Sequence, residues 1–387
     1  MTQFDSDLAE IRFGCGLSPL VPPPSSVADM LVRLQGPDDM AARFPVSDFE
    51  SASASVLTFR RLSRARNQAR GKSGYDAADE AFRAHRRDHN LAALGWHGQR
   101  ILRQVHTHDG LRERLALFWA DHFTAQGKAP AQRVMSAPYA ETVIRPHLMG
   151  RFEDMLIAAT TSPLMLHYLD QNRSVGADSR AAKRSKSAAG LNENLAREVL
   201  ELHTLGVDGP YEQADVRQLA ELFTGLGITR DNGFVFRPGM AEPGAETVLG
   251  QRYGGGRASL APVLEALRDL ARHPATARHI AWKLAVHFTS DQPDADLVAH
   301  LTGRYQATNG DLPSVYQALL EHPAAWQPEL ANVKPPFDYI ASACRALALS
   351  NAAVTTLGPR GQRRLLLAPL TPMGQRWGFS NGPDGWP

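Results

Sequence analysis

Apolar residues recur at helical spacing along almost the whole chain of 387 residues. Apolar side chains three and four positions apart share one face of an α-helix, whereas a half-buried strand alternates at every second position. Strand-like composition occurs only within 232–253, in "NGFVFRP" and "ETVLGQRY". Because strands and helices do not alternate, a Rossmann fold or a parallel barrel is excluded. We therefore predict a mainly α, multi-helix globular domain with a small β-hairpin insertion around 232–253.

Breaking residues place the predicted helices. The basic stretch 50–70 and the segment 76–107 form a helical hairpin that is interrupted near "GKSG" at 71–74. The triplet His-Pro-Ala occurs at 273–275 and at 322–324, and each copy ends a helix, because proline cannot continue a helix interior. Further helices are predicted at 26–35, 111–124, 138–160, 161–170, 193–204, 213–224, 259–272, 275–288, 294–307, 313–321 and 336–350.

Two segments lack apolar periodicity. The stretch "QNRSVGADSRAAKRSKSAAG" at 171–190 is rich in Ser, Ala, Gly and cationic residues, so we predict a flexible loop there. Such a loop can be a lid over a site or a plain insertion, and the sequence favours neither. The stretch 351–387 is predicted to be a loop-rich tail. The whole chain, 1–387, is expected to form one helical domain.

Charge and composition limit the class of partner. The chain has 42 Lys and Arg against 40 Asp and Glu, so no global field attracts nucleic acid. Arginines cluster in 50–70 without interleaved aromatic residues, which favours a solvated helix face over a nucleic-acid surface. No apolar run approaches the roughly 18 residues of a membrane span, so none is predicted. Neither Cys15 nor Cys344 belongs to a metal-binding pattern.

The N-terminal sequence carries a prediction about localisation. It reads "MTQFDSDLAEIRFGCG", with acidic residues early and no basic segment followed by an apolar one. A signal peptide is therefore not predicted, and a cytoplasmic location is the default expectation. A periplasmic or secreted protein is the alternative, if a leader was removed.

One predicted helix, "LNENLAREVLELHTLG", concentrates polar side chains. At 100° per residue, Glu198 falls within the arc of the leucines that face the core. Asn194 and Glu201 lie about 40° and about 60° from Glu198, on one edge of that arc. Arg197 can reach Glu201 at a spacing of four residues. His203 lies about 140° from Glu198, so it is predicted to face solvent, as Arg197 does.

A carboxylate within an apolar arc needs a cation, a metal or several hydrogen-bond donors, or it stays protonated. Two interpretations of Glu198 stay open: a buried ion pair with a distant Arg or Lys, and a functional carboxylate pair with Glu201. The order Glu-x-x-Glu-x-His is no known zinc motif, so the cofactor is unknown and a divalent metal is possible. Asn194, Arg197 and His203 are the candidate substrate-binding residues.

Two other helices place ionisable groups on their apolar faces. His122 shares a face with Phe118 in "LRERLALFWADHFT". A lone histidine of this kind is more often a core residue with one hydrogen bond than a catalytic group. Lys283, in "ARHIAWKLAVHFT", needs a partner if it is buried, and Glu198 is a candidate. If the three helices converge, they form a buried polar centre. The candidate catalytic residues are Glu198, Glu201, His122 and Lys283.

The segment "NENLAREVLELHTLGVDGPYEQADVRQLAELFTGL" resembles the core signature of the bacterial family known as domain of unknown function 1800. The segments "RFGCGLSP", "LFWADHFT", "VKPPFDYIASACRAL" and "MGQRWGFSNGPDGWP" extend the resemblance over nearly the whole chain. The resemblance implies a mainly helical fold, and many members carry export signals. The matching positions are Asn192, Glu193, Asn194, Arg197, Glu198, Glu201, His203, Gly206, His122 and Lys283.

Members of this family are often encoded beside a sulfatase-like protein. The resemblance therefore implies an interaction or maturation partner of such a protein, and this is the expected function. The alternative is a metal-dependent or acid/base hydrolytic enzyme with its site at Glu198, Glu201 and His122.

The chain also departs from the pattern of the family. It has Ala241, Glu242 and Glu246 where a His-Asp pair and a Lys are usual. It has Ala120 and Asp121 where His and Asn are common. If that His-Asp pair were catalytic, the activity of this protein would be impaired.

Overall fold

The computed structural model describes residues 4–184, 190–376, 380 and 382–385. This part of the chain is mainly helical, as predicted. Its α-helices are α1 (Ser6–Arg12), α2 (Val27–Gln35), α3 (Asp39–Arg43), α4 (Phe49–Gln68), α5 (Tyr75–His106), α6 (Gly110–His122), α7 (Ser136–Tyr139), α8 (Phe152–Thr161), α9 (Pro163–Tyr168), α10 (Arg180–Arg184), α11 (Asn194–Glu198), α12 (Gln213–Leu222), α13 (Ala261–Arg272), α14 (Pro274–Phe288), α15 (Ala295–Ala307), α16 (Leu312–Glu321), α17 (Pro336–Ala346), α18 (Asn351–Thr356) and α19 (Gly358–Gln362). None of the helices in these ranges combines the length and apolar character that crossing a membrane requires.

The predicted small β element is confirmed, as two separate antiparallel strand pairs within the described residues. Strand β1 (Leu226–Ile228) pairs with β2 (Phe234–Phe236), and β3 (Ala245–Val248) pairs with β4 (Gln251–Gly254). The turn of the second hairpin, Leu249 and Gly250, has positive φ at both residues, which matches the right-handed twist of the strands.

The helical hairpin and the proline breaks are also confirmed. Helices α4 and α5 pack against each other on either side of the predicted break. His273 and His322 each end one helix, and each also caps the next element. Their Nδ1 atoms accept hydrogen bonds from the backbone N–H groups of Ala275 (3.1 Å) and Ala324 (3.2 Å).

Two predicted segments differ from the structure. The helix predicted at 138–160 is broken into α7, a π-helical segment Ala140–Ile144, a 3-10 turn Arg145–His147 and α8. Pro146 lies in that 3-10 turn and lacks the N–H that would continue the helix. The tail predicted to be loop-rich is helical as far as Leu370.

The segment predicted as a flexible loop contains two short helical elements and buried side chains. Residues 171–184 contain the 3-10 turn Gln171–Arg173 and α10, and the side chains of Gln171 and Ser174 are fully buried. The Nε2 atom of Gln171 donates to the carbonyl oxygen of Phe223 over 2.9 Å. The remainder of the prediction falls on 185–189, which lie outside the described residues.

Arg345 joins three distant parts of the chain. Its guanidinium is fully buried and donates to the carbonyl oxygens of Gly16 (2.7 Å), Gln104 (2.8 Å), Val105 (3.0 Å) and Thr107 (3.0 Å). The carboxylate of Glu10 lies 3.4 Å away and neutralises its charge. These contacts hold α17 against the end of α5 and against the segment that follows α1.

We expect Arg345→Met to lower the free energy of unfolding by about 3 kcal/mol, because it leaves several buried carbonyls and a buried carboxylate without a partner. Denaturant unfolding followed by circular dichroism measures this change. The matched control is Arg363→Met, since Arg363 is exposed, and it should change stability by less than about 0.5 kcal/mol. Equal effects of the two substitutions would contradict the structural role of Arg345.

Candidate functional site

A cavity of about 950 Å³ opens beside α6 and α14. Its lining includes Asp121 and His122 at the end of α6, Lys283 in α14, and Asp384 near the C-terminus. We refer to these four residues as the polar lining group. The wall is completed by the segment between α16 and α17 and by parts of the C-terminal tail.

His122 is buried because α6 turns its apolar face into the core. Its ring packs against Phe118 and Phe123, with centroid distances of 6.3 Å and 4.6 Å. Its Nε2 atom donates to the carbonyl oxygen of His203 over 3.2 Å, and its Nδ1 atom has no hydrogen-bond partner among the described residues. His122 therefore has the single hydrogen bond of a core histidine, yet it also borders the cavity.

The prediction that His203 faces solvent is wrong. The helix that begins with α11 continues as a π-helical segment, Val199–Thr204, in which the N–H of Leu205 bonds the carbonyl oxygen of Leu200. The wider turn shifts later side chains away from their ideal α-helical positions. His203 is buried, and its ring lies 6.0 Å from that of His122, measured between centroids. Neither of its ring nitrogens has a hydrogen-bond partner in the described part of the chain.

Lys283 is the charged centre of a group of four imidazoles. Burial, together with the nearby Lys283 ammonium, lowers the pKa of His203 to about 3 and the pKa of His279 to about 4. Burial also sets the pKa of His122 well below its usual range, and Lys283 adds to this. For His287, burial acts first and the cations Arg114 and Lys283 lower the pKa further. These imidazoles are therefore neutral at pH 7.

Lys283 does not form the expected ion pair with Glu198. The carboxylates that act on it are those of Asp121 and Asp384, which oppose the lowering of its pKa by burial. Within the described residues, its ammonium has no ion pair or hydrogen bond within the usual distances. The imidazole of His279, one turn before it, donates instead to the carbonyl oxygen of Leu202 over 3.1 Å.

Glu198 is half-buried, and no cation pairs with it in the described ranges. Burial, together with the nearby carboxylates of Glu201 and Asp384, raises its pKa from 4.5 to about 7, while Arg197 acts in the opposite direction. The described part of the chain therefore does not support the interpretation of Glu198 as a buried ion pair. Neither Glu198 nor Glu201 lines the cavity. Glu198 nevertheless interacts electrostatically with Asp384, and Asp384 does line the cavity.

The other predicted residues lie on the surface edge of the same helix. Arg197 contacts Glu201 over 3.1 Å, as its spacing predicted, and Glu193 over 3.5 Å. Asn194 is exposed, and its backbone N–H donates to the side chain of Asn192 over 2.9 Å. The structure thus brings together His122, His203 and Lys283, and it leaves Asn194 and Arg197 outside the cavity.

Asp384 was missed in the sequence. It reaches the cavity because the tail folds back onto α6: the Nε2 atom of Gln126 donates to the carbonyl oxygen (2.9 Å) and the hydroxyl (2.8 Å) of Ser380. Gly385 lies against Asp121, where any Cβ would stand 2.7 Å from the carboxylate atoms. Only the resemblance of the segment "SNGPDGWP" to the family pattern could have drawn attention to Asp384.

The positions that depart from the family pattern lie elsewhere. Glu246, in β3, is buried beside Glu221 of α12; burial and this second carboxylate raise its pKa to about 7. Glu242 accepts hydrogen bonds from the backbone N–H of Asp178. Neither glutamate borders the cavity. In the part of the chain that the structure describes, no group of three or more His, Cys, Asp and Glu side chains is arranged to hold a metal ion.

These features define a mainly helical protein in which buried ionisable groups border a large cavity. The chain belongs to the family described as "Protein of unknown function (DUF1800)", whose model matches residues 23–387. The resemblance noted in the sequence is thus confirmed. No curated protein and no protein of solved structure matches the chain.

Glu198 should make stability depend on pH. Because its pKa is about 7 in the folded protein and 4.5 ordinarily, the folded state binds more protons between these values, and the free energy of unfolding falls as pH rises from 5 to 8. Solvent screening of a half-buried group reduces this fall to about 1 kcal/mol. We expect Glu198→Gln to remove that part of the pH dependence in urea unfolding. Substitution of the exposed Glu50 by Gln is the control, and an identical pH profile for both variants would contradict the prediction.

The buried side chain of His203 should lower the free energy of unfolding. A buried neutral imidazole without hydrogen bonds costs free energy, so we expect His203→Leu to raise the free energy of unfolding by about 1 kcal/mol. The control is His108→Leu, at an exposed position. Thermal and urea unfolding measure both variants. A clear loss of stability in His203→Leu would show that the ring nitrogens have partners in solution.

Proposed function

We propose that this protein is an acid/base enzyme of the hydrolytic class and that its reaction takes place in the cavity beside α6 and α14. The observation that carries this proposal is the convergence of Asp121, His122, Lys283 and Asp384 on one cavity of about 950 Å³. A large pocket with a few convergent polar groups is typical of a small-molecule site. Perturbed pKa values beside a cleft support the same assignment.

The polar lining group offers complementary roles. Asp384 is exposed to the cavity and can accept a proton from an attacking water molecule. The Lys283 ammonium can stabilise negative charge that develops on the substrate, and its burial strengthens that interaction. His122 borders the cavity with a neutral, buried imidazole whose Nδ1 atom has no partner among the described residues.

Glu198 would act through Asp384 and not on the substrate directly. With a pKa of about 7, it exists in both protonation states near neutral pH. Ionisation of Glu198 places a second negative charge near Asp384. The sequence indicated a site at the Glu198 and Glu201 pair. The site proposed here lies instead in the cavity that Asp384 lines.

The second proposal is an interaction or maturation partner of a sulfatase-like protein. It is supported by exposed apolar side chains along 330–347, where Tyr339 and Leu347 point away from the core. Co-purification with the co-encoded protein, compared between the native chain and Leu347→Asp, tests this contact. Equal recovery of the partner with both forms would refute it.

The enzymatic proposal is tested with chromogenic acyl, phosphoryl, sulfuryl and glycosyl esters of nitrophenol. We expect turnover with one class, and a fall in kcat of about 100-fold in Asp384→Asn and in Lys283→Met, because each loses one element of acid/base or electrostatic catalysis.

The matched controls for this test are Asp296→Asn and Lys72→Met, both at exposed positions, and they should retain the activity of the native protein. Circular dichroism establishes that each variant is folded. Absence of turnover with all four classes, or unchanged kcat in the Asp384 and Lys283 variants, would refute the proposal.

A further inference from the structure

Four large apolar side chains border the cavity and are open to solvent. They are Trp282 (48% exposed), Leu330 (66%), Val333 (85%) and Met373 (41%), and we refer to them as the apolar rim. Removal of such side chains from water is favourable, in proportion to the apolar area that is covered. Their grouping around one cavity indicates that the apolar part of a ligand covers them.

Lys283 directly follows Trp282 in α14, and it differs from the other cations of the lining. Arg12 donates to the carbonyl oxygens of Ala325 and Glu329, and Arg114 pairs with Asp338 at 3.2 Å. The ammonium of Lys334 donates to the hydroxyl of Ser342 over 3.0 Å, and the guanidinium of Arg100 lies 5.8 Å from the ring centre of Phe337. Within the described residues, Lys283 alone among these cations has no such contact.

The surroundings of Lys283 favour a single negative charge on the ligand. The imidazoles around it are neutral, so its ammonium is the available positive charge. Asp121 and Asp384 border the same space and would repel a dianion more strongly than a monoanion. A carboxylate meets this requirement, whereas a phosphate monoester is largely a dianion at neutral pH.

We propose that the cavity binds an amphipathic monoanion, with its carboxylate at Lys283 and its aliphatic portion against the apolar rim. This inference rests on the proposed function, since it names the class of substrate or product that the same cavity takes.

Isothermal titration calorimetry with sodium octanoate tests the proposal on the full chain. Sodium acetate lacks the aliphatic chain, octan-1-ol lacks the charge, and octyl phosphate carries the dianionic head. We expect octanoate to bind at least about tenfold more tightly than each of the other three, because each lacks one matched feature or adds repulsion.

Two substitutions separate the ends of the site. Lys283→Met should weaken octanoate about tenfold and leave octanol unchanged, because it removes only the charge-assisted contact. Val333→Asp should weaken octanoate binding by about the same factor, because it removes an apolar contact with the aliphatic chain and adds a negative charge that repels the carboxylate. The controls are Lys72→Met and Val207→Asp, at exposed positions outside the lining.

Octanoate that binds no more tightly than acetate, or that binds both variants as it binds the native chain, overturns the proposal. Because Val333 lies at the surface, its substitution keeps the test informative if Lys283→Met does not fold. Failure of the two proposals can be distinguished. Octanoate binding without turnover of any ester refutes the enzymatic proposal alone. Turnover without octanoate binding refutes only the proposal that the cavity binds an amphipathic monoanion.

Discussion

The last carbonyl groups of the helix at 194–204 are the constraint on which the site depends. A helix leaves its final carbonyls without partners inside the helix, and burial makes that loss expensive. Here His122 from α6 and His279 from α14 donate their Nε2 protons to the carbonyls of His203 and Leu202. Three elements that are far apart in sequence are thus held at one point. The cavity opens beside two of them, α6 and α14.

This arrangement also determines the protonation of the site. Each capping imidazole needs only one proton, and burial beside the Lys283 ammonium prevents it from taking a second. The imidazoles of the cluster therefore carry no charge beside the lysine. His203 has no hydrogen bond of its own among the described residues and contributes no charge. Its burial is a local cost to stability, of the kind that proteins retain where a site requires it.

The sequence predicted the helices well because apolar periodicity is a local property. It placed the break between α4 and α5 and the helix ends at the His-Pro sites. The sequence-based prediction of side-chain orientation was wrong where the α-helix becomes a π-helix. His203 was assigned to the surface because a wheel at 100° per residue cannot represent the π-helical segment Val199–Thr204. Glu198 was singled out from the sequence, but a group that acts on it lies beyond any local window: Asp384 is far along the chain, and Lys283 does not pair with Glu198 among the described residues.

The contact between the tail and α6 explains why the site draws on both ends of the family pattern. Gly385 has φ of 85° and lies so close to Asp121 that no larger residue fits. That close approach, with the hydrogen bonds from Gln126 to Ser380, holds the tail beside the cavity that Asp384 lines. A tail that served only to cover the core would need apolar contacts and no carboxylate at this point. A carboxylate placed where it raises the pKa of Glu198 costs electrostatic free energy, and that cost is understandable if Asp384 takes part in chemistry within the cavity.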